Sequence, residues 1–241
     1  MTGDTPTTHR LMEAVDATWP PAEFRESGPW LLRRGAGGGQ RVSAGSTEDQ
    51  TADPALAEPA MRAWGQLPLF RITPDQAELD ARLAAAGYAV KDPVALYATS
   101  VAALNDGRDE TVTVFRVTSP LAIVDEIWSA GGIGPGRRAV MTRPAGPRIT
   151  LLARADDRPV GVAFVAIDDN IAMIHAIEVV ANHRRKGAGE ILLRGAASFA
   201  AENGADWLAL AVTEANAPAR ALYEKLGMRL AGGYHYRVKA D

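Results

Sequence analysis

Cysteine is missing from all 241 residues, which removes disulfides, thiolate metal sites, iron–sulfur clusters and covalent catalysis through a thiolate. Histidine is scarce, at His9, His175, His183 and His235, and lysine supplies only 4 of the 26 basic residues. No stretch approaches the ~18 uninterrupted apolar residues of a membrane helix, and the opening MTGDTPTTHR has no apolar core for a leader to use. A cytoplasmic chain with no metal centre and no membrane partner is the expectation. The net charge of −3 gives nucleic acid no general attraction.

With 47% hydrophobic and 23% charged residues the chain can bury an ordinary core. At roughly 150 residues per domain, its length leaves one large or two small domains open. Charge is distributed unevenly. Before Asn105 there are 9 basic and 13 acidic residues, a net −4; from there on there are 17 and 16, a net +1. A local anion site is therefore expected in the second half. The excess of arginine over lysine, in a chain also rich in alanine and glycine, implies no phosphate site by itself.

Apolar spacing predicts a short helix over 8–18, stopped by the Trp-Pro-Pro at 19–21. PWLLRR (29–34) and QRVSAG (40–45) flank a glycine run and suggest a hairpin. A helix near 55–65, a strand at 69–72, a helix from Asp75 to Gly87 and a strand over 89–101 follow. The polar run at 105–110 is the best linker candidate, which divides the chain into 1–105 and 106–241. Beyond it come a strand at 111–117, a helix from Ser119-Pro120 through Trp128, and an antiparallel meander of 148–155, 159–167 and 171–180. A helix over 187–203, a buried strand at 208–212, a helix over 217–226 and a last strand at 234–238 complete the pattern. An offset of 140 residues pairs Gly87 with Gly227, Ile72-Thr73 with Val212-Thr213, and the two intervening helices, so a strand–helix–strand unit occurs twice.

The densest chemistry lies in HAIEVVANHRRKGAGEILL (175–193). Glycines just before a helix let backbone N–H groups and the positive helix end converge on an anion, while Arg184, Arg185 and Lys186 add charge. A pyrophosphate fits that description; a basic helix start with glycines for close packing is the plain alternative. A Walker loop is absent, and the dinucleotide G-x-G-x-x-G pattern fails at Gln40 and Arg137.

These residues resemble the GCN5-related N-acetyltransferase (GNAT) superfamily. Arg184, Gly187 and Gly189 match its coenzyme signature, Arg/Gln-x-x-Gly-x-Gly/Ala. Asn216, Ala219, Leu222, Tyr223 and the run Glu224 to Gly227 match its second signature. The resemblance covers about 111–241 and departs from the usual pattern at Ala181, where many members have proline. GPWLLRR, PLFRITP and Gly87-Tyr88 further suggest a tandem protein whose first half is a degenerate GNAT-like unit, since AGSTED (44–49) replaces the cationic loop at the same offset.

The resemblance implies an α/β (α+β) GNAT fold, with a mixed, mostly antiparallel sheet flanked by helices and two GNAT-like halves. It also implies direct transfer of an acetyl group from acetyl-CoA to an amine on a small molecule or peptide, by a monomer or homodimer. Backbone groups of Ile177 and Val179 would pair with the pantetheine arm, and an N–H near Ile177 or Glu178 would polarise the thioester. Arg184, Arg185, Lys186, Gly187, Ala188 and Gly189 would hold the pyrophosphate. Asn216 would hold coenzyme and cap its helix.

His175 or Glu178 would take the proton from the amine; strict alternation sets them on opposite faces unless a bulge intervenes. Ile171 fills a third family position and cannot act. Tyr223 would protonate the leaving sulfur, or else packs as a core aromatic. His235 lines the acceptor side or packs at an edge, and Arg137, Arg138 and Arg143 hint at an anionic acceptor. A non-catalytic acyl-CoA-binding module is the competing function, and a third reading makes the first half a specificity or dimerisation domain.

Overall fold

The computed structural model describes residues 4–105, 113–119 and 121–239. In chain order these form α1 (Thr8–Thr18), β1 (Glu23–Ser27), β2 (Trp30–Arg34), α2 (Glu58–Ala63), β3 (Leu69–Ile72), α3 (Ala77–Ala85), β4 (Ala89–Ser100) and α4 (Val101–Leu104). There follow β5 (Thr113–Val117), α5 (Ala122–Ala130), α6 (Pro135–Val140), β6 (Arg148–Ala155), β7 (Arg158–Asp168), β8 (Ile171–Val179), α7 (Ala188–Glu202), β9 (Trp207–Thr213), α8 (Ala217–Lys225) and β10 (Arg229–Val238). The expected linker, apart from Asn105, and the first residues of the strand expected at 111–117 lie outside the described residues.

Eight strands form one mixed sheet in the order β3-β10-β4-β9-β8-β7-β6-β5, antiparallel at every pairing except β8–β9. Helix α7 covers one face through Leu192, Leu193, Ala196, Ala197 and Ala200. On the other face, α1 packs beside α5 and α6, which bring Ile127, Trp128 and Val140 onto Val162 and Phe164 of β7. The fold is the expected α/β sheet with flanking helices.

The 140-residue repeat is visible as α3 and α8, whose bounds differ by that offset. Its two copies do not build separate sheets. β10 of the second copy lies between β3 and β4 of the first, and β4 in turn lies between β10 and β9. Residues 4–105 contribute α1 to α4, the β1–β2 hairpin, and β3 and β4 of the same sheet, so that sheet crosses the boundary expected at residue 105.

The hairpin is corrected in position. Glu23–Ser27 pairs with Trp30–Arg34, while the glycine run follows the hairpin and leads into a single 3-10 turn at Gln40–Val42. The outer strand EFRES is exposed or half-buried throughout, so no apolar alternation announced it. The last strand is longer than expected, because Gly232 and Gly233 interrupt its pattern without ending its pairing.

A buried ionic knot ties α1 to this unit. Asp16 accepts from Arg71 Nη1 and Nη2 at 3.0 and 3.1 Å and from Arg33 Nε at 3.0 Å, with Arg33 Nη2 closing the second pair. Burial works against the Asp16 carboxylate, but Arg71 and Arg33 more than offset it and hold its pKa below the usual range. Arg33 and Arg71 are 1% and 7% exposed. Asp16→Asn leaves two buried cations without an anion, and breaking such a pair costs about 3–5 kcal/mol. A fall of that size in the denaturant-derived unfolding free energy is expected, and a loss under about 1 kcal/mol would show the knot to be incidental.

Candidate active site

β8 and β9 are paired only at Ile171↔Trp207, Ala172↔Leu208 and Met173↔Ala209, although they run on to Val179 and Thr213. Beyond Met173 they part. The far edge of β9 stays paired with β4 out to Thr213, and β8 stays paired with β7 out to Val179. The separation coincides with a bulge: Ala176 has φ 50, and the β7–β8 register shifts between Val162 and Phe164. A left-handed alanine costs about 1–2 kcal/mol, and the indole of Trp128 donates to its carbonyl at 2.9 Å, which helps hold it there.

The bulge reverses the side-chain phase. Ile177 and Val179 pack into the cluster under α7. Glu178 comes onto the opposite face with His175: its side chain lies against Gly131 at the end of α5, where a β-carbon would sit 2.3 Å from a carboxylate oxygen. His175 meets Thr18, Trp19 and Phe164 on that face. Both candidate bases thus share one side of the sheet, against strict alternation. The backbone alternates as well. Val180 N–H bonds the Val160 carbonyl at 2.9 Å, so Glu178 turns its backbone to β7 while Ile177 and Val179 turn theirs into the gap.

At the mouth of the gap, Arg185 has φ 60 and Gly187 has φ 91 just before α7, and no side chain caps the helix. Gly187 is needed for that left-handed turn, and Gly189 lies close to Leu222, where a β-carbon would sit 2.9 Å from Cδ2 and displace the end of that side chain. Uncapped first-turn N–H groups behind a turn of this kind form an anion cradle. Arg185 and Lys186 are exposed beside it, and Ala188 is buried beneath it. Arg184 turns back instead: its Nε donates to the Val179 carbonyl at 3.1 Å and its Nη2 to Glu178 Oε1 at 3.0 Å.

His175 is 3% exposed with both ring nitrogens engaged. Arg41 can only donate, so Nδ1 accepts from its Nη1 at 3.2 Å, and Nε2–H then faces the Thr18 hydroxyl at 2.9 Å. Burial, followed by the charge of Arg41, pushes its pKa well below the ordinary 6.5. The ring is neutral with its lone pair occupied, an arrangement for positioning more than for taking up a proton.

Tyr223 on α8 is buried 5.9 Å from Tyr97 (ring centroids), with no hydrogen bond to its hydroxyl among the described residues, and burial pushes its pKa up to about 12. Asn216 caps α8, its Oδ1 accepting from Ala219 N–H at 3.3 Å. His235 is bound to Asp80 at 2.7 Å on the far repeat. Arg138 pairs with Asp125, and Arg143 donates to the Pro20 carbonyl. Sequence inspection missed Thr18, Trp19 and Arg41, which no motif marks; only the packing of the first half over β8 brings them to the site. A cavity of about 880 Å³ lies on the same face, lined in part by Trp128, Arg138 and Phe164. Another of about 500 Å³ lies in the first half, around Asp16, Arg71 and Gln76.

Residues 123–228 match the family model described as Acetyltransferase (GNAT) family. The chain is 35% identical over 109 residues to the streptothricin acetyltransferase of Streptomyces lavendulae, a match that takes in 44% of this chain and 58% of that protein. It is 29% identical over 244 residues to the uncharacterized N-acetyltransferase YobR of Bacillus subtilis (strain 168), covering 95% and 98% of the two chains. The GCN5-related N-acetyltransferase from Kribbella flavida superposes with a TM-score of 0.67 at 20% identity, over 96% of this chain and 95% of that one, a likeness of fold. The chain has the GNAT fold, and these matches support a GNAT acetyltransferase and are consistent with an acyltransferase.

Because folded His175 resists protonation, the unfolded chain binds the extra proton below about pH 6.5, so stability is complete above that value and declines as pH falls. His175→Gln removes this term. The difference in unfolding free energy between wild type and variant should change by about 1 kcal/mol between pH 6.5 and 5.5; a difference independent of pH would mean that His175 titrates normally in the fold.

Proposed function

We propose that the chain transfers an acetyl group from acetyl-CoA directly to an amine, and that the gap between β8 and β9 holds the coenzyme. The observation that carries this is a continuous track. Backbone groups of Ile177 and Val179 face an unpaired strand edge, and that edge leads to the uncapped N-terminus of α7 with Arg185 and Lys186 beside it. The pantetheine amides fit the edge as an added strand, and the pyrophosphate fits the cradle from Arg185 to Gly189. Arg184 leaves the Val179 carbonyl when the arm occupies it, and Asn216 adds an amide contact beside the helix it caps.

The thioester supplies an activated acyl group, and the remaining work falls to this chain. A backbone N–H at the bulge, near Ile177, polarises the carbonyl where negative charge develops, an effect worth about 3 kcal/mol for one such donor. Glu178, on the acceptor face and 18% exposed, receives the proton that the amine gives up. His175 and Thr18 hold Arg41 and the strand in place. The Tyr223 phenol stays protonated at physiological pH and donates a hydrogen bond to the departing sulfur. A full proton transfer would run uphill from a phenol at about 12 to a thiolate whose own pKa is roughly 8.5.

Glu178→Gln should lower kcat about 100-fold or more, the range of general-base catalysis, while coenzyme affinity by calorimetry changes little. Gly187→Val should do the reverse at the binding step and abolish measurable coenzyme binding. If Glu178→Gln keeps wild-type turnover while His175→Gln loses it, the proton passes through His175; if Gly187→Val still binds coenzyme, the anion cradle lies elsewhere.

A further inference from the structure

Arg41 is a cation without an anion. Its Nη1 meets His175 on β8 at 3.2 Å and its Nη2 reaches the Ala211 carbonyl on β9 at 3.5 Å, so the guanidinium spans the two strands just beyond their last pair. Its Nε is buried and has no hydrogen-bond partner. Among the described residues no carboxylate pairs with it. Asp16, whose charge reaches it, is already held at both oxygens by Arg33 and Arg71, and Glu178 is held by Arg184. Burial works against the Arg41 charge and contact with Tyr234 and Tyr236 acts the other way, and a guanidinium stays cationic in either case.

A second unpaired cation stands beside it. Arg137 on α6 makes no ion pair among the described residues, and its pKa is lowered by burial and by the charge of Arg41. Backbone packing brings the segments that carry them together. A β-carbon on Gly136 would lie 2.4 Å from the Gly37 carbonyl oxygen, and one on Gly39 would lie 4.0 Å from Arg137 Cδ, so α6 and the glycine run before Arg41 are in direct contact. Two guanidinium groups in one another's field are unfavourable until an anion joins them.

The geometry points to an anion-recognition subsite, built by Arg41 and Arg137, for an acceptor amine that carries a carboxylate or phosphate group. The inference rests on the transfer reaction proposed above and adds the class of acceptor to it. The guanidinium edge formed by Nε and Nη2 has one donor unused and the other stretched to 3.5 Å, which leaves it free to take two oxygens side-on. Arg137 is exposed and Arg41 is half-buried with its Nε enclosed, so an anion approaches from the Arg137 side. The first half of the chain thereby supplies acceptor recognition to a coenzyme site built by the second.

The test compares matched amines on the full-length, coenzyme A-loaded protein by calorimetry, and with acetyl-CoA by steady-state transfer. L-lysine is set against cadaverine, L-phenylalanine against phenethylamine, and O-phosphoethanolamine against ethanolamine. The anion-bearing member should bind about 10-fold or more tightly, the scale of a charged hydrogen bond. Arg41→Gln and Arg137→Gln should each reduce that ratio severalfold. The first two pairs report on a carboxylate and the third on a phosphate. Arg137 is exposed, so its variant keeps the test decisive if Arg41→Gln fails to fold. No preference for any anion-bearing member, or a preference unchanged in both variants, overturns the subsite. Anion-selective binding without transfer to any amine retains the subsite and overturns the transfer reaction, and transfer without selectivity does the opposite.

Discussion

Three parallel pairs hold β8 to β9, and beyond Met173 and Ala209 the strands part. Every feature of the site depends on that opening. It leaves the backbone of Ile177 and Val179 without a strand partner, and it aims this free edge at the turn before α7. The left-handed Ala176 lies in the opening and turns Glu178 onto the face that carries His175. Unpaired strand edges are usually covered or charged. Here the Arg184 side chain answers one of the exposed carbonyls, a contact that an incoming strand-like ligand can replace.

The interleaved repeats explain how the first half reaches a site it does not otherwise build. With β4 paired to β9 and β10 inserted between β3 and β4, the two copies share one sheet, and α1 lies across the face that carries His175. The Asp16 knot anchors α1 to β2 and β3, and the contact between Gly37 and Gly136 sets the segment bearing Arg41 against α6. A displacement of this half would carry Thr18, Trp19 and Arg41 away from β8 together. His175 has its two ring partners on that half, so its burial and its lowered pKa measure how firmly the half is seated.

Much of this was legible in the sequence because the relevant signals are local. The meander, α7, α8 and the cap at Asn216 follow from periodicity and short-range hydrogen bonding, and the glycines at 187 and 189 mark the turn into α7. Other features had no local signal. Ala176 adopts a conformation that alanine does not advertise, so the sequence left open whether a bulge brings Glu178 onto the face of His175. β1 is too polar to register as a strand. The order β3-β10-β4-β9 depends on which repeat pairs with which, and repeats of similar pattern do not encode that choice in their hydrophobicity. Arg41 sits in no motif, and its place between β8 and β9 appears only once the halves are packed.

Amide hydrogen exchange with and without coenzyme A tests the central claim most directly. If the gap is the coenzyme site, exchange should slow at Ile177 and Val179 and at the amides of residues 185–190, because an added strand and a bound anion take up donors that now face solvent. Protection confined to the cavity around Asp16, Arg71 and Gln76, or no protection at 177–179, would contradict it.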